Sequence, residues 1–372
     1  VLVRGDLNVP LHSCADGTRT VDDDFRIRSA LPTIQWLRGA GARVTVCSHL
    51  GDPAVPGDPA LTIDPVRARL DALCPGIELM ENLRFAAGEK QNDPAFAAQL
   101  ASGMDVYVNE AYGVSHRRHA SVVGVAPLLP SAAGLRLALE IEVLGTLLDA
   151  PARPFVAVVG GAKIADKLGV LESLAQKVDS LLVGGGMAFT FLAAMGHHVG
   201  ASLIDVDRIE ACRTLLHSGV DIVLPTDIVA LEPGGVFGPP DGAVGPRGSS
   251  KITGMDLPDG WMGLDIGPES AAAFSAVVRD AGTVLWNGPL GAFEDERFAQ
   301  GTQELAMAMA GSSAYTVVGG GDSVSALDAL GLTERVDFVS TGGGASLAYI
   351  EHGDLPGLEA LRSAPNAPRA GC

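Results

Sequence analysis

Lysine is scarce in this chain of 372 residues: Lys90, Lys163, Lys167, Lys177 and Lys251 are all it has. Lys and Arg together number 26 against 44 Asp and Glu, a net charge of −18. A field of that sign repels nucleic acid and anionic membrane surfaces, so neither is an expected partner. An anionic ligand must instead meet a local cluster of cations. The five cysteines, Cys14, Cys47, Cys74, Cys212 and Cys372, show no CxxC spacing. That spacing suggests neither a disulfide framework nor a zinc site and fits a reducing compartment. No run of about 18 uncharged apolar residues occurs, and no basic, apolar, small-residue signal opens the chain. A soluble cytoplasmic protein is expected. Val1 already lies in an apparent strand, so the natural chain is expected to begin earlier.

What is present is apolar residues at 47% and 47 glycines. The length exceeds what one hydrophobic core supports, so two domains are the natural expectation. Short β-branched runs alternate with longer helical patterns, as in βαβ units built on parallel sheets. The first part offers Val1–Val3, Val44–Val46, Ile77–Met80 and Val106–Val108 as strands. The second offers Phe155–Val159, Leu181–Val183, Ile222–Leu224, Thr283–Trp286, Tyr315–Val318 and Phe338–Ser340. Between the two parts, Ser131 to Leu148 reads as one helix, stopped at Asp149-Ala150-Pro151, which places the junction there. The Gly- and Pro-rich stretch from Glu232 to Ser250 reads as a surface loop or hairpin.

Four strands of the second part run into glycine clusters: Gly160-Gly161-Ala162-Lys163, Gly184-Gly185-Gly186-Met187, Gly319-Gly320-Gly321-Asp322 and Gly342-Gly343-Gly344-Ala345. Parallel strands put such turns on one sheet edge. Backbone without Cβ atoms can approach a ligand closely, and free N–H groups with a helix dipole favour phosphate oxygens. There is no GxxxxGK[ST] and no GxGxxG after the first strand, so neither a P-loop nor a common dinucleotide site applies. Lys163 and Lys167 are expected one turn apart at a helix start. Cations there oppose the macrodipole unless an anion is bound, which favours a ligand over a merely solvated face. Asp322 reads equally as a helix cap or a Mg2+ ligand. Glu294, after Asn287-Gly288-Pro289, is placed to accept from a ribose or to lie on plain surface. In the first part Arg4, Arg26, His49, Arg84, His116, Arg117 and His119 stand near element ends, suggesting an anion site. His116 and His119 as a metal pair lack a supporting Cys or carboxylate cluster.

These motifs resemble the phosphoglycerate kinase family along nearly the whole chain. Arg4-Gly5-Asp6-Leu7-Asn8-Val9-Pro10, Arg26-Ile27-Arg28, Ser48-His49-Leu50-Gly51, Glu81-Asn82-Leu83-Arg84-Phe85 and His116-Arg117-Arg118-His119 carry the likeness in the first part. Gly160 to Lys167, Gly184 to Phe189, Gly260 to Pro268, Asn287 to Glu294, Gly319 to Ser323 and Ser340 to Ser346 carry it in the second. The resemblance implies two Rossmann-like parallel α/β/α domains joined by a helix and hinge. These are a phosphoglycerate-binding domain at 1–150, a nucleotide-binding domain at 151–345, and a segment, 346–372, returning to the first domain. It implies hinge-bending turnover, a monomer, and phosphoryl transfer between 1,3-bisphosphoglycerate and Mg-ADP. Asp6, Asn8, Arg26, His49, Gly51, Asp52, Arg84, His116, Arg117 and His119 are then substrate residues. Arg26, Lys163, Gly321 and Gly344 serve the reacting centre. Gly161, Lys167, Gly185, Gly263, Asn287, Pro289, Glu294 and Gly320 to Ser323 bind nucleotide, with Asp322 on Mg2+.

The chain departs from the family at the acyl-phosphate site. Asp52 stands where the family carries Arg, Gly5 and Leu7 flank Asp6 in place of Val and Phe, and Glu110 replaces Asp. Asp52 therefore opens the alternative of a related kinase acting on another carboxylate or acyl phosphate, with a non-catalytic scaffold as the rival from another class.

Overall fold

The computed structural model describes residues 1–14, 17–238 and 245–365. Cys372, the tail of the expected returning segment and the middle of the Gly- and Pro-rich stretch lie outside them. The chain forms two compact units, Val1–Gly145 with the residues from Gly344 onward, and Thr146–Gly343.

The first unit is built on β1 (Leu2–Arg4), a small hairpin of β2 (Leu11–Ser13) and β3 (Arg19–Val21), then β4 (Thr45–Cys47), β5 (Glu78–Leu79), β6 (Tyr107–Asn109) and β7 (Ser131–Ala133). Apart from the hairpin these strands form one parallel sheet in the order β5-β4-β1-β6-β7. β1, β4 and β6 are buried along their whole length, as strands covered on both faces must be, and this is why they read as apolar runs. Helices α1 (Phe25–Gly39), α2 (Asp64–Leu73), α3 (Ala87–Lys90), α4 (Pro94–Ala101) and α5 (Leu135–Asp149) accompany them. The stretch from Ser131, expected as helix, begins instead as the edge strand β7. Gly134 breaks it before α5, because pairing with β6 outweighs the helical pattern of a short Ser-Ala-Ala run.

The second unit carries β8 (Phe155–Val159), β9 (Ser180–Val183) and β10 (Asp221–Val223). An antiparallel trio follows, β11 (Asp227–Leu231), β12 (Ser250–Gly254) and β13 (Met262–Ile266), and then β14 (Thr283–Asn287), β15 (Tyr315–Gly319) and β16 (Phe338–Val339). Its helices are α6 (Leu168–Ala175), α7 (Ala188–Ala194), α8 (Ile209–Leu216), α9 (Pro268–Arg279), α10 (Gln300–Gly311) and α11 (Gly321–Ala329). The chain then runs through α12 (Gly343–His352) and α13 (Pro356–Arg362). The main sheet is parallel with order β10-β9-β8-β14-β15-β16. Numbered by appearance this is 3-2-1-4-5-6, a doubly wound sheet whose order reverses between β8 and β14. Ligands of such sheets bind outside the carboxyl ends of the strands at that reversal. The turns after β8, β9, β14, β15 and β16 therefore share one edge, and all are glycine-rich.

Candidate functional site

The first unit gathers its cations at the carboxyl end of β1 and β4. Arg26, on α1, donates from Nη1 to the Asn8 carbonyl at 2.9 Å and lies 3.4 Å from Asp6 Oδ2. Asn8 Oδ1 accepts from the Gly51 amide at 2.7 Å, and the Gly51 carbonyl accepts from Arg84 Nη1. Gly51 has φ +58°, and a Cβ there would sit 2.6 Å from Leu61, so this turn admits only glycine without repacking. His49 is buried, and burial lowers its pKa well below the ordinary histidine value. The positive charges of Arg4, Arg84, Arg26 and Arg117 push the same way. Asp6 Oδ1 and Arg84 Nε are among the buried polar atoms with no protein partner. A carboxylate acceptor and a guanidinium donor left unpaired beside several cations suit a ligand bearing both hydroxyl and anionic groups.

The other residues expected here divide. Arg117 is exposed, with Nε 3.3 Å from Nε2 of His116, and Gly344 at the start of α12 lies beside the same ring, its virtual Cβ 3.5 Å from Nε2. His119 is drawn instead toward buried Glu89, 3.7 Å away, and its pKa falls to about 4 through burial, against the pull of Glu89 and with the push of Arg117, Arg84 and Arg4. Arg4 is wholly buried and presents no charge to solvent. Asp52 is exposed, bound to Lys90 and 3.8 Å from Arg84 Nη1. The hydrogen bond from Lys90 is the chief reason its carboxyl titrates below the usual range.

In the second unit a cavity of about 500 Å³ opens at the carboxyl edge of the sheet. Gly161, Ala162, Gly185 and Gly186 form one wall, and Met262, Gly263 and Leu264 of β13 another. Pro289, Phe237, Glu294 and Asp322 also border it. Its surface is mostly apolar with carboxylates at the margin, the character of a slot for a flat heteroaromatic ring with hydroxyls attached. Close backbone approach makes the glycines obligatory. A Cβ on Gly160 would lie 2.0 Å from the Pro289 carbonyl oxygen, and one on Gly263 would lie 2.2 Å from Phe189 Cζ.

Lys163 and Lys167 do not begin a helix. α6 starts at Leu168, with Lys167 at its cap position and Lys163 exposed in the preceding segment. The glycines and the close approach to Gly288-Pro289 hold this stretch in extended turns, so the expectation of two ammonium groups on one helical face is corrected. Lys167 Nζ turns into the β8/β14 reversal and donates to the Gly160 carbonyl at 2.6 Å and Asn287 Oδ1 at 3.0 Å. Burial lowers its pKa to about 8, partly offset by Asp322 and Asp166. Gly320, with φ +93°, precedes α11, whose first residues are Gly321 and Asp322, both exposed. Ser323 is buried and accepts from the Gly288 amide at 2.7 Å. Asn287 and Ser323 thus brace the turns and do not line the cavity. Asp322 does line it, and a carboxylate beside glycine-rich turns is the kind of hard oxygen ligand that Mg2+ takes when other oxygens complete its shell. Among the described residues no group of three or more His, Cys, Asp or Glu could hold a metal by itself.

Sequence reasoning missed Ala162, Gly186, Ala201, Leu203, Phe237, Met262, Leu264, Gly291 and Ala292 as wall residues. Small and aliphatic side chains carry no chemical signature. A lone Phe237 inside a Gly- and Pro-rich stretch was the one signal the sequence offered.

A family model described as phosphoglycerate kinase matches residues 1–78 and 75–353. The chain is 47% identical to the phosphoglycerate kinase of Rubrobacter xylanophilus over 97% of its length and 95% of that protein's. It is 48% identical to that of Salinispora arenicola over 98% of its length and 96% of that protein's. Among solved structures it resembles the phosphoglycerate kinase of Coxiella burnetii with a TM-score of 0.82 at 35% identity, covering 99% and 96% of the two chains. It also resembles that of Pyrococcus horikoshii with a TM-score of 0.82 at 27% identity, covering 97% and 95%.

Proposed function

Because this chain belongs to the phosphoglycerate kinase family, we propose that its two sites divide the family's reaction between them. It catalyses reversible phosphoryl transfer from 1,3-bisphosphoglycerate to ADP, giving 3-phosphoglycerate and ATP. The bond from phosphorus to the acyl oxygen breaks as one to the terminal ADP oxygen forms. No covalent enzyme intermediate is needed, since such a transfer is largely positioning and neutralisation of charge on the equatorial oxygens.

Asp6 Oδ1 accepts from the glycerate hydroxyl, and Arg26, His49, Arg84, His116 and Arg117 hold its phosphate and carboxylate. Arg26 also faces the reacting carboxylate. The 500 Å³ apolar slot carries the nucleotide half of this reading: the base lies between the glycine turns and β13, with Glu294 on the ribose. Lys167 and the amides at Gly320 to Ser323 take the phosphates, and Lys163, solvent-exposed and free to reach, meets the phosphoryl group in transit. Mg2+ held by Asp322 would supply neutralising charge on the nucleotide phosphates. Transfer then requires the units to close during turnover, which X-ray scattering with and without both substrates would read. We place the enzyme in the cytoplasm as a monomer, for which sedimentation at working concentration is the check.

The relatives' full-length similarity does not favour a different carboxylate substrate, so Asp52 is read as tuning affinity. The test is a coupled assay of 3-phosphoglycerate phosphorylation by Mg-ATP. Turnover on 3-phosphoglycerate that falls at least 100-fold, on the order of 3 kcal/mol, in both Arg26→Ala and Lys167→Ala supports the assignment. Turnover only on another carboxylic acid overturns it.

A further inference from the structure

Arg4 lies on β1, between β4 and β6, with no exposed surface, yet its guanidinium points at the substrate histidine. Nε donates to Ser121 Oγ at 2.9 Å, Nη1 donates to the Gly5 carbonyl, and Nη2 lies 3.1 Å from His49 Nδ1. Ser121 is itself fixed from behind. Its amide reaches Glu89 Oε2 at 3.0 Å and its hydroxyl donates to Glu89 Oε1 at 2.6 Å, leaving the hydroxyl oxygen to accept from Arg4. The direction of every bond in this chain is therefore settled.

A guanidinium only donates and does not lose its proton in a protein. Nδ1 of His49 must then be the acceptor and carry no hydrogen. We propose that Arg4 is a positioning residue that holds His49 as the neutral tautomer with its single proton on Nε2, so that the ring meets phosphoglycerate as a hydrogen-bond donor without charge. The inference rests on His49 being a substrate residue, as argued above. An imidazolium would set two donors against each other across 3.1 Å, and burial together with the charges of Arg84, Arg26 and Arg117 disfavours it further. His49 then contributes orientation, while the surrounding arginines supply the charge. Among the described residues Nε2 has no hydrogen-bond partner, which leaves that proton for a ligand.

Long-range proton–nitrogen correlation spectra of the full chain labelled with 15N-histidine read the tautomer directly, with His49→Gln assigning the signal. The expected result is a bare Nδ1 and a protonated Nε2 at neutral pH and on mild acidification. Protonated Nδ1, or a doubly protonated ring, overturns the proposal without any variant having to fold. Adding 3-phosphoglycerate should then shift the Nε2 proton. The expected tautomer with no shift would leave Arg4's role standing and remove His49 from the substrate site. In Arg4→Met the tautomers should mix and KM for 3-phosphoglycerate should rise about tenfold with kcat within about twofold, and Arg4→Lys, which retains a donor, should recover most of the loss. An unchanged tautomer and KM in a folded Arg4→Met would overturn the coupling.

Discussion

A methyl group on Gly134 would lie 2.0 Å from Oε2 of Glu110. That carboxylate sits over the start of α5, accepting from Thr33 Oγ1 at 2.6 Å and from the Arg136 amide at 3.1 and 3.0 Å. The helix N-terminus is thus capped by a side chain from the end of another strand, and the missing Cβ of Gly134 makes room for it. Gly134→Ala should destabilise the first unit by about 2–4 kcal/mol, measured as a shift in urea midpoint at unchanged m-value.

Burial pushes the Glu110 carboxyl up to about 7, against the hydrogen bonds of Thr33, Arg136 and Leu137. The folded state therefore holds this proton more tightly than the unfolded chain, so the contribution is fully present below about pH 4.5 and is lost as pH rises through about 7. Glu110→Gln should remove on the order of 2–3 kcal/mol of that pH dependence, read as the difference between wild-type and variant stability across the window. Asp265, also pushed up to about 7 by burial, stays in both proteins and cancels in the difference. A difference that does not change with pH would show that Glu110 is ionised throughout.

Asp52 holds Lys90 and sits 3.8 Å from Arg84, placing an anion beside cations assigned to the substrate. Asp52→Asn should lower KM for 3-phosphoglycerate about threefold, and Asp52→Arg should lower it about tenfold, at low ionic strength, with the gain shrinking in salt. Identical constants in all three proteins would place position 52 away from the ligand.

Burial leaves Lys167 with a pKa of about 8, and nucleotide phosphates prefer its charged form. ADP affinity should therefore decline as pH rises above about 8, approaching tenfold per unit, whereas Lys167→Arg should bind with little pH dependence over that range. Titration calorimetry at several pH values checks this.

Phe237 lines the cavity of the second unit and is held there by a clasp. Asp295 is fully buried and pairs with Arg247 at 2.9 Å and Arg297 at 2.7 Å, and Arg297 donates to the Val236 carbonyl at 2.9 Å while Asp295 accepts from the Gly238 amide at 3.2 Å. Both residues flanking Phe237 are thus tied down. Phe237→Ala should raise KM for Mg-ADP about fivefold through lost contact with the base, leaving KM for 3-phosphoglycerate unchanged.

The glycine clusters, the apolar strand runs and the motif residues could be read from the chain because each depends on a few neighbouring residues. Strand alternation with helical patterns was enough for two parallel α/β sheets. The sequence also held Lys167 as a nucleotide residue, but local spacing suggested a helical lysine pair. The fold instead turns Lys167 onto Asn287, 120 residues away, because the backbone of Gly160 packs on Gly288 and Pro289. Likewise Arg4 read as one more anion-site cation until the sheet buried it between strands and gave it Ser121 and His49. Local pattern thus determined which segments are strands and which end in glycine-rich turns. Long-range packing decided which charges reach solvent, which polar atoms lack a partner and which apolar residues wall the slot, since burial and desolvation are properties of the assembled chain and of no single segment.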